Sequence, residues 1–183
     1  MTVNKKNIFR FLVQLACIAV LLVIDHVIKN AVYEKLRGHD TVVLIKGFLG
    51  LTYAENTGAA FSMLSSNTNL LSVVTGIALL AAVIIMLLLK PKPVVYHICL
   101  PLIIAGGAGN LIDRLTRGYV IDYIHTLFID FPIFNFADCL ITCACFALII
   151  YLIYEIIAES KKEKAQKAAK AEAAEKPEET GDD

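Results

Sequence analysis

The chain has 183 residues, enough for one domain and short for two. Hydrophobic residues make up 57% of it, above the roughly 45–50% of soluble domains. They come in long runs and not at period 2 or 3.6, which points to a membrane and away from one large soluble core. Basic and acidic residues balance at 17 each, so no net basic field offers itself to nucleic acid.

A membrane span needs about 20 apolar residues. The first candidate is residues 11–28, FLVQLACIAVLLVIDHVI. Its basic start (Lys5, Lys6, Arg10) and the stretch LVQLAC ending at Cys17 also suggest a cleaved leader. Gln14 stands where such a site wants Leu, and the apolar run continues past Cys17, so the span reading is preferred. The second run is 70–89, without a charge; the third is 94–112, with Pro101 inside it; the fourth is 139–158, with Glu155 near its end. Pro101 is tolerable because neighbouring groups can satisfy the backbone carbonyl it frees.

Basic residues in short flanking segments set orientation. Lys5, Lys6 and Arg10, Lys90 and Lys92 of the KPKP link, and Lys161, Lys162 and Lys164 share one side of a four-span chain, which is expected to be cytoplasmic. Both termini then face the cytoplasm, and the loops 29–69 and 113–138 face outward. Residues 1–158 are expected to form the four-span domain. Residues 159–183, rich in Ala, Glu and Lys, are expected to be a solvated tail, partly helical and disordered at its end. Cys17, Cys99, Cys139, Cys143 and Cys145 show no CxxC or zinc spacing and are read as small packing residues.

In the first outward loop, the β-rich runs 41–45 and 48–53 flank Lys46-Gly47, predicting a small hairpin or cradle. The apolar stretch 59–64 is read as an interfacial segment that helps limit water access. The second loop holds Asn110, Asp113, Arg114, Asp122, His125, Asp130, Asn135 and Asp138 within about thirty residues, several inside apolar stretches. A carboxylate at membrane depth is costly and marks a functional site by default. Asp138 has a bland alternative as the N-cap of the fourth span. Asp122, in YVIDYI, has none, and burial would raise its pKa. Two carboxyls in differing environments suit acid/base chemistry.

Other features are plainer. Asp25 and Lys29 lie four apart and are expected to pair on one helix face. Asp113 and Arg114 are read as a local ion pair, with substrate binding as the functional alternative, and Asp130 as a solvent-facing loop acid. GGAGN at 106–110 follows no strand, so it is a close-packing segment and not a dinucleotide loop. His26, His39, His97 and His125 lack HExxH spacing.

Five segments in order, IDHVIK at 24–29, AENTGAAFS at 54–62, GNLIDR at 109–114, YVIDYI at 119–124 and FNFADCLI at 134–141, resemble the lipoprotein signal peptidase (signal peptidase II) family across roughly residues 8–158. His26, where Gln is common, and Tyr123, where Phe is usual, depart from its pattern. The resemblance implies an all-α membrane protein, with four transmembrane helices, a small extracytoplasmic β-hairpin or cradle and an interfacial helical segment. It implies an aspartic endopeptidase of the bacterial cell membrane that removes the signal peptide from diacylglyceryl-modified prolipoproteins by cutting before the lipidated cysteine. Asp122 and Asp138 would be its catalytic pair. Asp25, Lys29, Asn56, Asn110, Asp113, Arg114 and Asn135 would bind substrate or support the pair. No metal or organic cofactor is implied. The expected partners are prolipoproteins, membrane lipids and globomycin-type inhibitors, and a monomer is expected. The alternative from another class is a small channel or transporter using the acidic cluster, which would spread its charges along a pore.

Overall fold

The computed structural model describes residues 5–58, 68–88 and 93–175, with side chains as far as 167. The elements run α1 (Lys5–Leu36), β1 (Val42–Ile45), β2 (Leu49–Asn56), α2 (Thr68–Leu88), α3 (Val94–Arg117), β3 (Val120–Thr126) and α4 (Phe136–Glu175). Four helices are long and apolar enough to cross a membrane. The apolar stretch 59–64 and the KPKP link at 90–93 lie outside the described residues, apart from Pro93.

The helices exceed the apolar runs. α1 has 32 residues, about 48 Å at roughly 1.5 Å per residue, against a hydrocarbon core of about 30 Å. α4 continues without a break from its apolar run into the Ala/Glu/Lys segment, because those residues are strong helix formers. A hydropathy window ends where charge begins, whereas a helix does not.

α3 is the central helix. It packs against α1, α2 and α4, and half of its most apolar stretch is buried, compared with 6–11% in the other three helices. The outer faces of α1, α2 and α4 carry exposed Val, Leu, Ile and Phe, as a lipid-facing surface requires. Gly106, Gly107 and Gly109 explain how α3 fits among three partners. A Cβ on Gly106 would stand 2.5 Å from the Ala137 carbonyl oxygen of α4, and one on Gly107 2.8 Å from Leu79 of α2. One on Gly109 would collide with the Asp25 carboxylate of α1. Each glycine thus admits a different helix, the close approach expected of small residues in GGAGN.

The predicted hairpin is present and belongs to a larger unit. β1, β2 and β3 form one antiparallel sheet in that order. Gly47, at φ 71°, turns β1 into β2, with the Phe48 N–H bonded to the Ile45 carbonyl at 2.9 Å. Gly118, at φ 84°, ends α3 in the left-handed conformation, its N–H bonded to the Arg114 carbonyl at 3.1 Å. The chain therefore reverses at once into β3, which lays Asp122 against Ala54 of β2.

Candidate active site

Asp122 and Asp138 reach the site by different routes. Asp122 is opposite Ala54 in the β2–β3 ladder, so Asn56, two residues along β2, lies on the same face. Its amide donates to Asp122 Oδ2 at 2.9 Å. After β3 the chain loops back, and Phe134 pairs with Ile124 through reciprocal backbone bonds of 2.7 and 3.1 Å. That clamp delivers Asn135 beside β3, where its amide donates to Asp122 Oδ1 at 2.6 Å.

Asp138 is not the N-cap of α4; Asn135 is. The Asn135 side-chain oxygen accepts the Asp138 N–H at 3.0 Å, while the Asp138 carboxylate accepts the Asn135 N–H at 3.1 Å. This is a reciprocal capping box, with the acid at the third helical position. The helix begins three residues earlier than the apolar run, which moves the acid from the cap into the first turn. The other Asp138 oxygen accepts the Asn110 amide at 2.8 Å. Asn110 Oδ1 in turn accepts from Lys29 at 2.8 Å and from Asn135 at 3.2 Å. Asn135 therefore contacts both carboxylates directly.

Behind this pair lies an ionic cluster. Lys29, 1% exposed, is 2.9 Å from Asp25 and 3.1 Å from Asp113. The helix-face pairing of Asp25 with Lys29 thus forms. The local Asp113–Arg114 pair does not, because adjacent helical residues point in different directions. Asp113 instead meets Arg117, one turn on, at 3.4 Å, and accepts the Ile121 N–H of β3 at 3.3 Å. Arg117, which the motif reading passed over, was discoverable from its i,i+4 spacing to Asp113. Arg114 leans the other way and donates to the Gly58 carbonyl at 3.1 Å, while its buried Nε has no hydrogen-bond partner.

Asp122, Asp138, Asn56 and Arg114 line a cavity of about 1090 Å³. His125 and Asp130 also line the cavity, and Asp130 is the exposed loop acid expected from the sequence. Phe131, Phe134, Ile141, Thr142 and Cys143 give it an apolar wall, which sequence motifs did not mark. Burial pushes the Asp122 carboxyl up to about 6; the Asn56 hydrogen bond opposes this and the Asp138 charge adds to it. Among the described residues, neither Asp122 nor Asp138 has a cation at ion-pair distance. No group of three or more His, Cys, Asp or Glu among them is arranged to hold a metal ion. The buried charges gather at one end of α1 and α3 and do not follow a pore along the helices.

Four membrane-length helices, with a carboxylate pair in a half-apolar cavity beside a small sheet, define a multi-span membrane protein with a polar cavity at one end of the bundle. The signal peptidase (SPase) II family model matches residues 17–154, and the chain belongs to that family. It is 39% identical to the lipoprotein signal peptidase of Enterococcus faecalis over 80% of this chain and 91% of that one. With the lipoprotein signal peptidase of Lactococcus lactis subsp. cremoris it shares 41% identity over 72% and 87%. A bacterial membrane enzyme solved by the in meso method at 2.3 Å superposes with a TM-score of 0.74 at 30% identity, over 79% of this chain and 89% of that one.

Proposed function

We propose that this chain is an aspartic endopeptidase that removes the signal peptide from diacylglyceryl-modified prolipoproteins, with Asp122 and Asp138 as its catalytic pair. The observation that carries the reading is the wiring of both carboxylates through Asn135 onto one cavity. Membership of the signal peptidase II family supports the substrate class.

Burial of Asp122 and the Asp138 charge beside it favour one proton on the pair. Asp122, raised by burial, is assigned that proton. Asp138 acts as the base and takes a proton from a water between the two carboxyls. The water attacks the scissile carbonyl, and Asp122 donates to the developing oxyanion. The proton on Asp138 then passes to the leaving amine as the C–N bond breaks, and a hydroxyl proton of the intermediate returns to Asp122 as the carbonyl re-forms. General acid–base catalysis of this kind contributes roughly 10²–10⁴-fold. Arg114, with an unused N–H at the cavity, is assigned to the substrate backbone.

The apolar wall of Phe131, Phe134 and Ile141 suits the signal peptide's side chains and the acyl chains of the lipidated cysteine. Anchoring those chains in the bilayer would fix the depth of the scissile bond. The basic residues at the far end of α1 and along the later turns of α4 support an outward-facing site with cytoplasmic termini. The test is incubation of the purified chain with a diacylglyceryl-modified prolipoprotein in detergent plus chelator, followed by mass spectrometry. A new amino terminus at the lipidated cysteine is expected. An intact substrate, or activity that chelator abolishes, would reject the proposal.

A further inference from the structure

A second cavity, of about 640 Å³, lies at the opposite end of the bundle, between the first turns of α1 and α3. Arg10 is separated from Asp25 by 15 residues of α1, roughly 22 Å at about 1.5 Å per residue. The cavity is therefore remote from the carboxylate pair.

Its lining combines three basic side chains with apolar surface. Lys5, Lys6 and Arg10 line it beside His97, and no carboxylate does among the described residues. Of the acids on α4 toward this end, Glu155 is taken up by Tyr96 and Tyr151, while Glu159 and Glu163 are exposed and do not line the cavity. Gln14, 6% exposed, donates to the His97 carbonyl at 3.1 Å, and its amide lies 3.4 Å from Nδ1 of the ring. The Arg10 guanidinium stands 3.2 Å from His97 Nε2. These contacts hold Arg10 and His97 together at the groove. Both α1 and α3 start here, so two helix dipoles add positive potential. Phe9 and Val13 complete the groove and are 70% and 51% exposed.

A cationic head beside exposed apolar side chains matches an amphiphile with an anionic head. We infer that the groove between the N-terminal turns of α1 and α3 binds an anionic phospholipid, with its phosphodiester at Arg10 and Lys5 and its acyl chain along Phe9 and Val13. Basic pockets between spans are suited to such headgroups, and each basic side chain adds to the attraction. Bound lipid would tie the first turn of α1 to the headgroup plane, and with it the depth of Asp25 and Lys29 at the other end of the same helix. The inference does not depend on the peptidase reading.

The test is native mass spectrometry of the full chain in detergent with phosphatidylglycerol or phosphatidylcholine. It compares wild type with a Lys5→Gln/Arg10→Gln variant, a charge-preserving Lys5→Arg/Arg10→Lys variant, and a Lys161→Gln/Lys164→Gln control. Wild type should retain phosphatidylglycerol in preference to phosphatidylcholine. Removing the two charges should lower that retention roughly tenfold. The charge-preserving variant and the tail control should match wild type, and millimolar inorganic phosphate should not displace the lipid. Equal retention of the two lipids, no loss in the neutralised variant, or displacement by free phosphate would each overturn the proposal. Circular dichroism and a single symmetric peak in size-exclusion chromatography report that each variant is folded.

Discussion

Two groups of aspartates share one end of the bundle and are held in opposite ways. Asp25 and Asp113 are closed in around Lys29, with Arg117 behind, and their charges are met by cations at 2.9–3.4 Å. Asp122 and Asp138 have only N–H donors from asparagines and backbone, and they open on the cavity. A carboxylate in contact with a buried cation is held in place by it. One held by neutral amides in a buried cavity can take a proton up and give it back. The same residue type thus builds an ion-paired cluster in one place and, on the proposed reading, a reactive pair in the other, with Asn110 joining the two through Lys29.

The sharpest break in that comparison is expected at the open pair. Asp138→Asn should lower prolipoprotein cleavage by roughly 10³-fold or more while the melting temperature holds, as measured by single-turnover kinetics and thermal unfolding. Lys29→Met should do the reverse. It leaves Asp25 and Asp113 buried without their shared cation, and breaking such a pair costs about 3–5 kcal/mol. The measurable result is a large fall in thermal stability and in yield of folded protein, and normal stability in this variant would contradict the scaffold role.

The pH profile is the next test. With Asp122 as the protonated partner, cleavage should fall as pH rises through an apparent pKa of about 6 that belongs to the pair. The stability linkage has a fixed sign. A carboxyl raised from 3.8 binds its proton more tightly in the fold, so its stabilising effect is full below 3.8 and is lost as pH climbs through about 6. Asp122→Asn should flatten that part of the stability curve, and an unchanged curve would remove Asp122 as its source. The smallest effect is expected for Arg117→Leu. Its side chain is 22% exposed and Lys29 still serves Asp113, so a loss on the order of 1 kcal/mol, with cleavage retained, is the expected outcome in a denaturation series.

Much of this arrangement was legible in the sequence because membranes make polarity conspicuous. A carboxylate in YVIDYI or at the head of an apolar helix stands out, and the pairing of Asp25 with Lys29 follows from helical spacing alone. Partners across elements were harder to see. Nothing local tells that Asn135 caps α4 and also bonds Asp122, since that contact needs the Phe134–Ile124 clamp between a strand and a loop. Adjacency in sequence suggests Arg114 as the mate of Asp113, whereas the helix turns the two apart. The apolar context of Asp122 is β-like in the sequence, and a strand forms there, but its pairing with β2 is long-range and has no local signal.

The central claim is the division of labour between the two carboxylate groups. Asp122→Asn and Asp25→Asn, measured side by side for cleavage rate per folded molecule and for melting temperature, test it most directly. Asp122→Asn should unfold no earlier than wild type but lose cleavage by roughly 10³-fold or more. Asp25→Asn should melt lower while each folded molecule cleaves within about tenfold of wild type. Cleavage that survives in Asp122→Asn, or that vanishes in a fully stable Asp25→Asn, would contradict it.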